Sequence, residues 1–370
     1  MQKLNICHIL EDGRFGGPHK LFVNLISKTN VNYRNSAVFF RHQSAKFETE
    51  IKKYKIKYKI FDLPYLSKTS IFNYFLYFIK FYKSFIKNYE ICNNDYFVVH
   101  QPNKSFISIV TLILLKKKII FYFHDNYSNF IFKFIIEFFF KNKICGCIFS
   151  SYSSLNFYKK FKKIKKEIIY SSAKKSKFNK KKSKKKFIIG TCSNISPIKN
   201  IIFFLKIAET FKKHEDIEFK ILGNYWDSQR NYFNKCLNFK KERKLKNVNF
   251  IINSNNYEKL FSGYDLYLCT SISESCPVSI IEAMEKKIPI ISTDVGDVSK
   301  ILNLNKNKCG DVVDLNLQSF NKKILKYKNN KPYYNKISKA CYKNYKKNFT
   351  LEKYNMKFKN FLHDVNKSSK

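Results

Sequence analysis

Short apolar runs of strand length alternate with helical patterns along this 370-residue chain, and they do so in two successive series. In the first, residues 4–10, 36–40, 58–61, 96–100, 118–123 and 144–150 read as strands. Residues 17–28, 71–87, 104–117 and 129–141 read as helices between them. Within 71–87, Ile71, Phe75, Phe78, Ile79, Tyr82 and Ile86 are expected to share one face. Strands joined through helices cannot pair as hairpins, so they pair in parallel by crossovers. Runs that are apolar almost throughout need cover on both faces of the sheet. The pattern predicts an α/β fold of doubly wound parallel sheets. The second series has strands at 187–191, 217–222, 248–252, 264–270 and 288–293, with helices at 201–213, 229–244, 258–262 and 278–287. Between the two lies 171–186, with nine lysines in sixteen residues and no apolar periodicity, which is the signature of a linker. The expected division is 1–175 and 176–348, with 349–370 as a C-terminal helix packing back toward the N-terminal domain. Two such domains facing one another would line a cleft with the carboxyl ends of both sheets, where open α/β sheets take their ligands.

Charge narrows the partners. The net charge is +44, and only positions 14, 34, 41, 230 and 243 are Arg, so the excess is almost wholly Lys. A field of that size attracts polyanions, either nucleic acid or an anionic membrane surface. The accompanying wealth of Asn, Ile, Phe and Tyr is also what lysine-ward codon drift in an AT-rich genome produces. No helix-turn-helix, RNP or zinc pattern appears, which argues against a specific nucleic-acid partner. Ten cysteines without a C-x-x-C pair argue against zinc and disulfide frameworks, and several lie in apolar runs as small core residues. Residues 1–10 include Gln2, Lys3 and Asn5 and lead into Glu11 and Asp12, unlike a signal peptide. The longest apolar run, 106–115, is too short to span a membrane. The expected location is cytoplasmic, with peripheral contact at the inner membrane face a further expectation.

The most informative chemistry lies in Ser273-Glu274-Ser275-Cys276-Pro277-Val278-Ser279-Ile280-Ile281-Glu282-Ala283-Met284. A strand precedes this stretch and its second half is a helix with Ile280, Ile281 and Met284 as an apolar stripe, so Glu274 falls in a loop and Glu282 on the helix. Such a junction offers unpaired backbone amides and a helix dipole to an anion. Pro277 has no N–H and suits the first helical turn. With only nine glycines in the chain, each retained one more often marks a backbone need. Gly13, Gly16 and Gly17 sit between the first strand and its helix, where backbone can approach a phosphate or sugar, while Gly223 and Gly296 end or follow strands.

These residues, in this order, resemble the GT-B retaining glycosyltransferases, in particular glycosyltransferase family 4, over almost the whole chain. The motifs that carry the resemblance are Glu274 and Glu282 as E-x7-E, EAM, IPIISTDVGDVSKIL, CGDVV, ILGN at 221–224 and NISPIKN at 194–200. In the N-terminal half they are the Gly-Gly loop, the HD of FYFHDN (His124, Asp125) and IFSSYSS. The resemblance implies two Rossmann-like domains and transfer of a sugar, with retention, from a nucleotide-diphosphate sugar to a hydroxyl of a glycan or lipid-linked acceptor in surface polysaccharide or glycolipid synthesis. It implies Glu282 on the ribose hydroxyls, Glu274 on the donor sugar near the reacting centre, and His124 near the sugars. It also implies Lys199 as the diphosphate cation, with the Cys276, Val278 and Ser279 amides, beside Pro277, facing the donor. Gly16, Gly17 and Gly223 would give the donor backbone room. Where the family has a second cation this chain has Asn194, for which Arg14 is a candidate substitute. No cofactor or metal is expected, since no D-x-D site accompanies these motifs. An epimerase or phosphorylase on the same fold would share the motifs, and a basic nucleic-acid-binding protein would share the charge. The remaining histidines, His8 and His100 among them, form no constellation in the sequence.

Overall fold

In the computed structural model, which describes residues 3–11, 16–27, 33–40, 45–61, 71–125, 130–161, 164–176, 186–254, 256–304 and 308–368, the chain divides into two units. Residues 1–171 with 351–370 form one and 172–350 the other. The first runs β1 (Leu4–Leu10), α1 (Gly17–Ile26), β2 (Tyr33–Phe40), α2 (Ala45–Lys52), β3 (Lys57–Phe61), α3 (Ile71–Lys87), α4 (Tyr89–Cys92), β4 (Tyr96–His100) and α5 (Phe106–Leu114). It continues with β5 (Ile119–Phe123), α6 (Phe130–Ile135) running into a π turn (Ile136–Phe140), β6 (Gly146–Phe149), α7 (Tyr152–Phe157) and β7 (Lys165–Ile168). The sheet order is β3-β2-β1-β4-β5-β6-β7, parallel throughout. Every residue of the central strands β4 and β5 is buried, as expected where helices cover both faces.

The second unit runs β8 (Phe187–Cys192), α8 (Ile201–Thr210), β9 (Ile217–Gly223), α9 (Arg230–Glu242), β10 (Val248–Ile252), α10 (Tyr257–Ser262), β11 (Leu266–Cys269) and α11 (Val278–Glu285). Then come β12 (Ile290–Ser292), α12 (Val298–Asn303), β13 (Gly310–Val312), α13 (Leu317–Asn329) and α14 (Lys331–Asn348). Its parallel sheet has the order β10-β9-β8-β11-β12-β13. Of the lysine-rich linker, Ala173 bridges Thr350 within this unit, and 177–185 lie outside the described residues.

The last helix, α15 (Leu351–Ser368), belongs to the first unit. Its Tyr354, Phe358, Phe361, Leu362 and Val365 lie in one core cluster with Ile6, Tyr96, Val98, Ile120 and Tyr122 of the sheet. The Tyr354 and Tyr122 hydroxyls meet at 3.0 Å, and the Tyr96 hydroxyl donates to Asn366 Oδ1 at 3.1 Å.

Helix α3 departs from the expected face. Its core side is Tyr74, Tyr77, Phe78, Phe81 and Phe85, whereas Phe72, Phe75, Leu76 and Ile86 are exposed. The helix is apolar nearly all round, so more than one stripe satisfies the 3.6-residue period and packing selects among them. The expected helix at 129–141 is shorter than read, because it passes into the π turn at Ile136.

Candidate active site

The strand order of the second sheet reverses between β8 and β11, the topological position at which open α/β sheets leave a ligand crevice. Loops leaving β8, β9, β11 and β12 are laced together there. Ser193 N–H donates to Leu222 O at 3.1 Å, Ile195 N–H to Asn224 O at 2.7 Å, Ile272 N–H to Ile198 O at 2.8 Å and Asp297 N–H to Ser275 O at 3.1 Å. The Thr270 hydroxyl reaches Lys199 O at 3.2 Å and the Thr293 hydroxyl reaches Ser271 O at 2.7 Å. Two glycines allow this closeness. A Cβ at Gly223 would stand 1.8 Å from Ser193 O, and one at Gly296, whose φ is +57°, would stand 2.3 Å from Glu274 O.

Lys199 ends a short 3-10 turn, and Asn200 then adopts left-handed backbone to open α8. The Lys199 ammonium pairs with Glu274 Oε1, which also accepts the Ser271 hydroxyl at 2.8 Å. An ammonium has three N–H donors, so one contact to Glu274 leaves capacity for further oxygens. Pro277 is the residue just before α11, where its missing N–H leaves no helical bond unmade. Val278 and Ser279 supply first-turn amides, which have no acceptor within their own helix. Cys276 is buried beside them, and Asn194 lies half-buried two residues beyond β8. Glu282, one turn into α11, accepts the Tyr257 hydroxyl at 2.7 Å, and that hydroxyl in turn accepts from Cys192 Sγ at 2.8 Å. Burial, then the neighbouring Cys192 and Glu282, pushes the Tyr257 hydroxyl well above its ordinary range, so it stays a proton donor to the carboxylate. The structure thus joins Lys199 directly to Glu274 and gives Glu282 a separate anchor.

The remaining expected residues belong to the first unit. Gly16 precedes α1 in extended backbone and Gly17 opens it, and a Cβ on Gly17 would meet nothing within 4 Å. Arg14 and Gly13 lie outside the described residues. His124 follows β5 directly. Contrary to the sequence reading, His8 and His100 do form a constellation with it. His100 Nδ1 lies 2.8 Å from His124 Nε2, His100 Nε2 lies 3.0 Å from His8 Nδ1, and His8 Nε2 lies 3.2 Å from Asn35 Oδ1. Burial lowers His8 and His124 to about 3, and burial with the adjacent rings lowers His100 well below its ordinary value, so all three are neutral near pH 7. The Asp125 carboxyl is pushed up by burial against the pull of Lys104. Glu11, at the end of β1, accepts Ser108 N–H at 2.7 Å in the first turn of α5, and burial raises its carboxyl to about 7.

Sequence reasoning missed Tyr257, Cys192, Ser271, Glu11, His8 and His100. Only the histidines carried a usable signal, because His100 and His124 end adjacent strand runs. The partner of Glu282 comes from α10, 25 residues upstream, with no motif of its own.

Comparison with known proteins bears on both units. Residues 172–344 match the family Glycosyl transferases group 1. The match takes in almost the whole of the second unit. A probable sucrose-phosphate synthase of Thermosipho melanesiensis is 28% identical over 181 residues, covering 47% of this chain and 40% of the relative, so the chain spans less than half of that protein's length. Among solved structures, Anabaena Alr3699/HepE in complex with UDP and glucose has a TM-score of 0.81 at 14% identity, covering 98% of this chain and all of that one. A glycosyltransferase from Rickettsia africae ESF-5 has a TM-score of 0.80 at 16% identity, with 99% of each chain covered. Sucrose-phosphate synthase (tll1590) from Thermosynechococcus elongatus has a TM-score of 0.78 at 11% identity over 99% of this chain and all of that one. At these identities the likeness is one of fold: the two parallel-sheet α/β units match GT-B glycosyltransferase structures.

Proposed function

We propose that this chain is a retaining glycosyltransferase of family 4 type, moving a hexosyl group from a nucleoside-diphosphate sugar to a hydroxyl acceptor. The observation that carries the reading is the Lys199–Glu274 pair at the switch point of the group 1 domain, with Glu282 held one turn into the next helix. The Anabaena relatives, solved with UDP, UDP-glucose, or UDP and glucose, support a donor of that class. In this mechanism Glu282, steadied by Tyr257, takes the ribose hydroxyls. The Lys199 ammonium and the first-turn amides of α11 receive the charge that grows on the diphosphate, without a metal ion. Glu274 accepts hydrogen bonds from donor-sugar hydroxyls and faces the oxocarbenium-like centre. The anomeric carbon–phosphate oxygen bond breaks with its electron pair going to phosphate. The acceptor oxygen bonds the same face of that carbon, and its proton passes to the departing phosphate oxygen. The neutral Asn194 leaves Lys199 as the principal side-chain cation of its loop.

A thermal-shift panel of nucleoside diphosphates and their sugars, UDP and UDP-glucose included, tests this. Donor should raise the midpoint of the wild type and raise it less in Glu282→Ala and Lys199→Ala. If no nucleotide stabilises the wild type, or if the variants respond as it does, the reading fails.

A lipid-linked acceptor at an anionic membrane is favoured by a specific surface. Helix α3, helix α5 and the segment 130–140 bury residues in the same core cluster. Outward α3 and the segment 130–140 expose Phe72 (67%), Phe75, Phe130 (80%), Ile131, Phe134, Phe138 and Phe139, with Lys80, Lys83, Lys87 and Lys133 on the same elements. Among the described residues no helix is long and apolar enough to cross a membrane. Aromatics flanked by lysines instead suit the interfacial plane of a bilayer, where each Lys near an anionic surface contributes about 1 kcal/mol. Sedimentation with anionic and neutral liposomes decides this: equal binding to both sinks the electrostatic part, and no binding sinks the whole.

A further inference from the structure

Asn35, His8, His100 and His124 stand on or directly after β2, β1, β4 and β5, four consecutive neighbours in the first sheet. Their polar atoms form one unbroken row at 3.2, 3.0 and 2.8 Å. A neutral imidazole carries one N–H and one bare nitrogen. Three neutral rings in a row can therefore hold their protons in only two ways, all pointing toward one end or all toward the other.

The end group decides which. Asn35 presents its amide oxygen to His8, so His8 Nε2 must be the donor and His8 Nδ1 the acceptor. His100 Nε2 then donates to His8, leaving His100 Nδ1 bare, and His124 Nε2 donates to His100. His124 Nδ1 is the one ring nitrogen of the row left over. It is buried, and among the described residues it has no hydrogen-bond partner. The rings are held tightly enough for this logic to apply. His100 and His124 stack 3° from parallel with centroids 5.1 Å apart, Tyr122 stacks on His124 at 4.1 Å, and His8 lies between Phe22 and Phe358.

We propose that Asn35, His8 and His100 are positioning residues that lock His124 into the Nε2–H tautomer, so that its bare Nδ1 accepts a hydrogen bond from a hydroxyl of the carbohydrate substrate. The substrate half rests on the glycosyl-transfer reading above, and the tautomer half does not. A bare nitrogen selects for a hydroxyl and against a carbonyl or phosphate oxygen at that point, because only the former can donate. The opposite tautomer would invert the preference without moving an atom of the backbone.

The test is two-bond proton–nitrogen correlation NMR on the full-length protein labelled with 15N-histidine at neutral pH, with His124 assigned through His124→Gln. The expected spectrum shows His124 protonated at Nε2 and bare at Nδ1. An Nδ1–H form, or an even mixture, overturns the proposal in the wild type alone. Asn35→Leu removes the acceptor at the head of the row, and His100→Phe breaks its middle while keeping an aromatic ring against Tyr122. Either should scramble or reverse the His124 tautomer, and an unchanged His124 signal in a folded variant refutes the positioning role. Addition of UDP-glucose should move the His124 Nδ1 resonance, while UDP alone leaves it in place. If UDP binds and UDP-glucose moves nothing, the hydroxyl contact is refuted. Failure of the glycosyl-transfer reading would instead appear as no response to either ligand with the tautomer intact.

Discussion

Replacing Lys199 by Met and Glu274 by Gln, singly and together, separates the demand of a buried charge from the ordinary cost of altering a loop. Glu274 is 13% exposed and Lys199 23%, and the carboxylate oxygen that takes the ammonium also takes the Ser271 hydroxyl. Lys199→Met takes the ammonium from that carboxylate and leaves it the Ser271 hydroxyl among its partners. Orphaning a fully buried charge costs about 3–5 kcal/mol, and partial exposure together with the surviving hydrogen bonding brings this to about 2 kcal/mol. Glu274→Gln leaves an ammonium on a flexible stem that can reach water, at about 1 kcal/mol. The double variant orphans no charge, so its loss should be about 1 kcal/mol and fall short of the two single losses combined by about 2 kcal/mol. The assay is built into the chain: Trp226, in the turn after β9, is its only tryptophan and lies in the second unit. Urea titrations followed by its fluorescence report that unit's stability. The reasoning is refuted if Lys199→Met costs no more than Glu274→Gln, or if the losses add to within about 0.5 kcal/mol.

Three further outcomes are expected. Acid should weaken the first unit: His8 and His124 titrate near 3 when folded and near 6.5 when unfolded, so the unfolded chain binds more protons between those values and stability rises with pH. The slope is about 1.4 kcal/mol per pH unit for each such histidine, and His124→Gln should flatten the pH dependence of the far-UV transition that Trp226 does not see. Gly296→Ala combines left-handed backbone with a Cβ 2.3 Å from Glu274 O, so it should cost at least about 2 kcal/mol in the Trp226 transition and abolish the nucleotide-induced midpoint shift. Phe358→Ala empties a fully buried site in α15 and should cost the first unit about 3–5 kcal/mol, while the Trp226 midpoint stays where it was.

The parallel architecture was legible because crossover-connected apolar runs leave little choice of pairing, and the placing of Glu274 in a loop and Glu282 on a helix followed from local pattern. What escaped notice depends on partners distant in sequence or on degenerate periodicity. His8 and His100 are 92 residues apart and meet only because β1 and β4 are sheet neighbours. The Tyr257 anchor of Glu282 requires α10 to lie beside α11, which no spacing encodes. In α3 the surplus of aromatic residues made two faces equally plausible by period, and packing on the sheet, Phe81 against Phe40 and Phe61 and Phe85 against Phe97, distinguishes them. Elements α2, α12, α13 and α14 and strands β7 and β13 went unread, since several are short or carry lysines that blur an apolar stripe.

Helix α15 sets an order of events during synthesis. The first unit's sheet is complete by residue 168, yet one of its core clusters needs Tyr354, Phe358 and Phe361. Until those residues clear the ribosome, the apolar surface around Tyr122 and Val98 lacks its lid, while the second unit, contiguous from 172 to 350, has every residue it needs. The first unit, although begun first, therefore closes this core only when the last helix is made, and a nascent chain stalled between 168 and 350 would be a natural client for a chaperone.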